Sequence, residues 1–264
     1  MSRKLTFAAT AALSIMALSM LTAAPLTAQE AAQAPVSASA EQRAAYDRAD
    51  PLARSVFWAR EAEINPADPV AGVRLAQALR ELGQHERAAE TAQGVLQVQP
   101  SNVEAMLEIG RAHIARGQAF YGIDALEQAR DLTPQDWRPL SLLGVAYQQV
   151  RRPADAQNAW ALALRLSPEN PAVLSNMAMA LASTGDAAGA EPLLRRAVTQ
   201  PGATLQMRQN LALVLGLNGR QDEAEQILRR HMPPEQADRN LQWLSHEAEA
   251  AEARPRTWDS LTGR

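Results

Sequence analysis

Residues 137–170 read WRPLSLLGVAYQQVRRPADAQNAWALALRLSPEN. Leu140, Leu143, Gly144 and Tyr147 fall at three- and four-residue steps, which places them on one face of a helix. After a turn, Ala156, Trp160 and Ala163 line one face of a second helix, and Pro168 follows where that helix must stop. The same punctuation extends in both directions, with Pro66, Pro100, Pro134 and Pro168 each 34 residues apart and each after an apolar helical stretch. A fixed period of this length marks a repeat architecture. The register predicts units at 69–102, 103–136, 137–170, 171–204 and 205–238, with no insertion between them. Seven core places in five units make 35 positions, and apolar residues or Gly occupy 32 of them. Composition alone would fill about half, so the register is real. The misfits are His113, Arg208 and His231.

Two further signals recur in this frame. Gly83, Gly117, Gly185 and Gly219 sit where the first helix of a unit ends in a left-handed residue. In the third unit Arg151-Arg152-Pro153 stands there instead, with Pro153 opening the next helix. Ala88, Gly122, Ala156, Ala190 and Ala224 open the second helices, where small residues allow close approach.

The pattern W-x2-L-G-x2-Y, then A-x3-F-x2-A, then P, strongly resembles the tetratricopeptide repeat, a helix–turn–helix of 34 residues. The resemblance covers residues 69 to about 234. It implies an all-α solenoid of five repeats, with a groove that takes protein or peptide segments. Solenoid ends are atypical. Residues 51–68 read as a capping helix, a half repeat carrying Phe57 and Trp58. Residues 239–253 read as a closing helix whose Trp243 and Leu244 are expected to cover the last unit. Residues 254–264 read as a loose tail. Residues 29–50, rich in Ala, Gln and Ser, read as a flexible lead.

Composition narrows the function. The chain has 264 residues, no Cys, 26 basic against 29 acidic residues, and 4% aromatics. Without Cys there is no disulfide, Fe–S cluster, thiol catalysis or lipid-anchored cysteine. The net charge of −3 gives no overall field for nucleic acid. Lys4 is the only lysine.

Residues 1–28 read MSRKLTFAATAALSIMALSMLTAAPLTA. Arg3 and Lys4 precede an uncharged apolar run over 5–21, and small residues with a Pro follow, in the order of a secretory signal peptide. Cleavage is expected after Ala28, giving an exported, periplasmic protein, peripheral to the envelope or free. The alternative is a retained anchor, although a spanning helix needs about 20 apolar residues.

No phosphate-binding glycine loop and no nucleophile elbow is present. His85, His113, His231 and His246 show no i, i+4 pairing. Trp58 and Trp160 fall at or near packing places. No catalytic residue, metal site or cofactor is expected, so the chain reads as a binding protein and not an enzyme.

The candidate site is the flank of the first helices opposite the core. Its N-terminal half is charged, with Arg74, Gln77, Arg80, Glu104, Glu108, Arg111 and Arg138. Its C-terminal half is neutral, with Ser175, Asn176, Met179, Gln209, Asn210 and Leu213. Asn176 and Asn210 hold equivalent places in adjacent units, and a carboxamide can both donate to and accept from an extended chain. The class of repeat protein that grips a terminal carboxylate uses groove lysines, which are missing here.

A finer resemblance is to the TadD-type protein of tight-adherence (Flp) pilus assembly. It rests on DPLARSVFWAREAEINP at 50–66, the five unbroken units, and NLQWLSHEAEAAE at 240–252. It implies a partner such as an outer-membrane secretin or another component of pilus or secretion-complex assembly. Members of that family are typically lipoproteins, so the missing cysteine departs from the pattern. Two alternatives stay open on the sequence: a general periplasmic adaptor, for cytochrome maturation or polysaccharide export, and an enzyme whose site carries no motif.

Overall fold

The computed structural model describes residues 36–253, with side chains as far as His246. The expectations for the signal peptide (1–28), for residues 29–35 and for the tail (254–264) lie outside the described residues. Within them the chain is helical: α1 (Ala40–Tyr46), α2 (Pro51–Ile64), α3 (Pro69–Glu81), α4 (His85–Val98), α5 (Val103–Ala115), α6 (Phe120–Leu132), α7 (Trp137–Gln149), α8 (Pro153–Leu166), α9 (Pro171–Ser183), α10 (Ala187–Thr199), α11 (Leu205–Leu217), α12 (Gln221–His231) and α13 (Pro234–Ala253). None of the described helices is long and apolar enough to cross a membrane.

Each first helix starts because a side chain at its N-cap replaces the missing backbone acceptor. Asp68, Asn102, Asp136, Asn170 and Thr204, again 34 apart, accept from amides two or three residues ahead, for instance Val70 at 2.9 Å and Ala105 at 2.9 Å. Each first helix ends on a left-handed residue. Gly83, Gly117, Gly185 and Gly219 have φ between 71° and 90°, and Arg151 adopts φ 60° in the third pair. The next amide then reaches back five residues. Gln84 donates to the Leu79 carbonyl at 2.9 Å, and Arg152 to that of Tyr147 at 2.8 Å.

The pairs stack in sequence. First helices pack on first helices, α3 on α5, α5 on α7, α7 on α9 and α9 on α11, whereas among the described residues the second helices stand further apart and meet through long side chains, as where Arg195 of α10 reaches Glu223 of α12 at 2.8 Å. The first helices therefore form the inner layer of the stack. Helix α13 takes the next place in that layer, against α11 and α12.

Packing between layers depends on size complementarity. The Trp160 ring is 1% exposed, and its indole N–H donates to the Ser141 carbonyl at 3.1 Å. A Cβ on Gly144 would overlap that indole, and a Cβ on Gly110 would overlap Leu126 one unit earlier. The absent side chain on α7 is what admits the ring from α8.

Three expectations change at the ends. Part of the stretch read as a flexible lead is ordered: Ser39 and Gln42 form a capping box that starts α1. Arg43 then reaches Glu61 at 2.6 Å and Asp68 at 2.7 Å, and Tyr46 stacks on Phe57 at 4.0 Å. The closing helix starts at Pro234, five residues before the expected 239, because Pro234 tolerates the first turn of a helix. Finally, of the two residues expected to cover the last pair, Leu244 does so, at 5% exposure against Gly216 and beside Ala237 and Leu241 of the same helix, while Trp243 is 51% exposed.

The misfit His113 sits half-buried on α5 near the Tyr121 ring, and its Nδ1 has no hydrogen-bond partner. Burial, and secondarily the Arg116 charge, hold its pKa below the ordinary 6.5. Above that pH both folded and unfolded chains carry it neutral. Below it the unfolded chain takes the proton first, so stability falls as pH drops. The carboxylates held low, Asp68, Asp131, Asp136, Glu191 and Glu223, act only below their own ordinary range.

Two outcomes are expected. Trp160→Ala loses roughly 3–5 kcal/mol, measured by urea unfolding; a curve overlaying the parent would overturn the assigned packing. Between about pH 7 and about pH 5 the parent loses stability, and His113→Tyr loses less over the same interval.

Candidate partner-binding groove

The exposed flank of the inner layer runs along α3, α5, α7, α9 and α11, and the residues expected there divide as charge and burial dictate. At the N-terminal end the charged groups are spent on one another. Glu108 is 1% exposed, and it accepts from Arg80 of α3 at 2.8 Å and from Arg111 of its own helix. Glu108 is therefore a buried counter-ion and not a residue lining an open groove, which corrects the expectation. A carboxylate out of water needs both partners, since an uncompensated buried charge is strongly destabilising. Arg138 pairs with Glu104 at 2.7 Å and Asp136 at 2.7 Å. These two hydrogen-bonded carboxylates outweigh burial and raise the guanidinium pKa. Arg74 reaches Asp47 at 3.4 Å and donates to Gln77 at 3.1 Å. The half read as a charged surface is an ion-pair ladder that crosses from helix to helix. Arg74, Gln77 and Glu104 border a depression of about 340 Å³ between α3 and the start of α5.

The neutral half is less self-contained. Asn176 is half-buried on α9, with no side-chain hydrogen bond among the described residues. Its counterpart Asn210 is engaged: its amide donates to Ser175 Oγ at 3.3 Å, and its oxygen accepts from Gln206 at 3.0 Å. Equivalent by repeat position, the two differ because Ser175 and Gln206 lie within reach of only one of them. Met179 and Leu213 are half-buried against the C-terminal core, each with surface left over.

A larger cavity, about 450 Å³, opens where α11, α12 and α13 meet. Gln209, Asn210 and Leu213 supply one wall, so three of the expected groove residues lie together there. The opposite wall is α13, with Arg239, Asn240 and Trp243, residues the sequence reading did not place in the site. Met232 lies between, its sulfur within 3.4 Å of the Gln209 amide and 3.5 Å of the Asn240 amide. Its volume is in the range of about 300–1,000 Å³ usual for ligand sites. Arg74, Glu108, Arg111 and Arg138 do not reach it. The signal that could have found the α13 wall is its composition: Gln236, Arg239, Asn240 and Trp243 follow three- and four-residue steps on one helix face. Elsewhere, no group of three or more metal-type ligands converges among the described residues.

The fold and this site define a helical-repeat scaffold with one face built from first helices. The tetratricopeptide repeat pattern matches residues 73–137 and 141–205, and the chain belongs to that family. Its fold is similar to that of TTC0263, a thermophilic TPR protein from Thermus thermophilus. That match has 22% identity and a TM-score of 0.58, covering 66% of this chain and 94% of the other. It is also similar to Pseudomonas aeruginosa pilF, at 20% identity and TM-score 0.56, covering 72% and 90%. The Cut9–Hcn1 hetero-tetramer of the APC/C contains a similar chain at 18% identity and TM-score 0.62, with 72% of this chain matching 39% of that one. At these identities the likeness concerns the fold. The repeat class is a protein-interaction scaffold.

Proposed function

We propose that this protein is an exported scaffold whose first helices α7, α9 and α11 hold an extended segment of a protein partner during assembly of an envelope complex. The observation that carries the reading is the contrast within the groove. The N-terminal half satisfies its own charges, whereas Asn176 stands unpaired beside the partly exposed Met179 and Leu213. Asn176 offers a donor and an acceptor to a partner backbone, and the two apolar side chains offer it a dry surface. The finer reading, an adaptor for a secretin or another component of pilus (Flp/Tad) or secretion-complex assembly, rests on the sequence resemblance at 50–66 and 240–252. The export reading rests on residues 1–28.

Affinity capture from the envelope fraction, followed by titration of the captured partner, tests the groove. Asn176→Ala is expected to weaken binding about three- to tenfold, since a lost polar contact costs about 0.5–1.5 kcal/mol. Adding Asn210→Ala should raise the loss to about tenfold or more. Affinity should change by no more than about threefold between about 0.05 M and about 0.5 M salt, because the contacts along α9 and α11 are neutral. Binding indifferent to both substitutions would put the partner elsewhere.

Export has its own measurement. N-terminal sequencing of the periplasmic fraction should begin near Gln29, while recovery of intact residues 1–21 in the membrane pellet would replace export by anchoring.

A further inference from the structure

The cavity between α11, α12 and α13 has a chemistry of its own. Its floor is apolar, with Leu228 and Leu244 almost fully buried and Leu213 half-buried. Above the floor stand Met232 and the exposed ring of Trp243. Five carboxamide side chains rim it, and Arg239 is the one charged residue on the lining. Arg239 is exposed and makes no ion pair among the described residues. The acidic residue beside it in the chain, Asp238, is taken by Arg229 at 2.9 Å. Most arginines of the ladder at the other end of the groove are matched by carboxylates. Here a guanidinium faces a cavity in which no carboxylate stands.

We infer that this cavity is a specificity pocket for an extended partner segment in which an acidic side chain neighbours a large apolar one. The inference rests on the groove reading above and deepens it. Charge complementarity gives the acidic residue its place at Arg239, since a lone guanidinium on a neutral rim attracts a carboxylate and repels lysine or arginine. The floor and the Trp243 ring give the apolar side chain its place, because an aromatic ring packs well against another ring or an aliphatic chain. Carboxamides suit the main chain between them, each able to donate and accept. Gln236 has no side-chain hydrogen bond among the described residues and is free to do so. Gln209, Asn210 and Leu213 belong to both groove and pocket, so a segment lying along α9 and α11 runs directly into it. The apolar floor and this continuity favour a polypeptide over a glycan, which carboxamides and a tryptophan would otherwise also suit.

The probe is a labelled octapeptide, Gly-Ser-Gly-Asp-Phe-Gly-Ser-Gly, acetylated and amidated so that its only charge is internal, titrated by fluorescence anisotropy against the full chain. Companion peptides replace Asp by Asn, or Phe by Ala. The Asp peptide should bind about threefold tighter than the Asn peptide, the size expected for a solvent-accessible ion pair. The Phe peptide should bind about tenfold tighter than the Ala peptide. Arg239→Gln should bring the Asp/Asn ratio to one and leave the Phe/Ala ratio, and Trp243→Ala should do the reverse. Equal binding of all peptides, or ratios that neither substitution changes, would overturn the pocket. So would selective binding of a peptide with a free terminal carboxylate and no Asp, or a melting-temperature rise with cellotetraose or chitotetraose while every peptide stays inert. Asn176→Ala separates the two readings. Peptide binding that needs Asn176 but ignores Arg239 and Trp243 keeps the groove and removes the pocket, and the opposite result keeps the pocket and removes the groove.

Discussion

The close approach of the two helices within each pair is the constraint on which the stack depends. On α7 the residue facing α8 has no side chain, and the space is filled by the Trp160 ring. One pair earlier the partners are Gly110 and Leu126, and the same places hold Ala178 with Leu194 and Ala212 with Leu228 further on. Small against large, at a fixed spacing, sets the distance between inner and outer layers in these four pairs; in the first pair those places hold Ala76 and Ala92, and Gly72 against Val95 makes the close approach. Close packing then makes that distance hard to change, because an added methylene has nowhere to go. The inner layer's order follows, and with it the face on which a partner can lie.

Two buried carboxylates show a second use of the same surface. Glu108, between Arg80 and Arg111, ties α5 to α3. Glu61, 3% exposed, accepts from Arg43 and from the Ala38 amide and so holds α1 on α2. Such pairs are weak sources of net stability, since desolvation offsets much of the attraction. Their geometric effect is clearer: each fixes the neighbour that must bring the matching charge. At the N-terminal end of the stack, groove positions are thereby committed to architecture. At the C-terminal end no equivalent network spans α11 and α13 among the described residues, and the space between them stays open and neutral but for Arg239.

Much of the fold was legible in the sequence because it is periodic and local. The proline spacing, the core places and the turn glycines each report a short-range requirement: where a helix must stop, which side must be apolar, where φ must be positive. Even the N-caps, Asp68, Asn102, Asp136, Asn170 and Thr204, stand in plain view at the same spacing. The groove was legible only as a helix flank. The flank gives the direction in which Asn176, Asn210, Met179 and Leu213 point, and nothing about what else lies within reach of them.

What the sequence determined by itself was therefore the repeat, its register and its inner face, since these follow from hydrophobic period and backbone chemistry within 34 residues. What only the tertiary structure decided was the state of individual side chains: Glu108 enclosed by two arginines, Asn210 engaged by Ser175 and Gln206, Asn176 left free, and α13 turned so that Leu244 seals the core while Trp243 and Arg239 border a cavity. The contacts of Glu108 with Arg111 and of Asn210 with Gln206 lie within one helix, but those with Arg80 and Ser175 join different helix pairs, 28 and 35 residues apart, and no local pattern encodes which of several polar neighbours arrives across that gap.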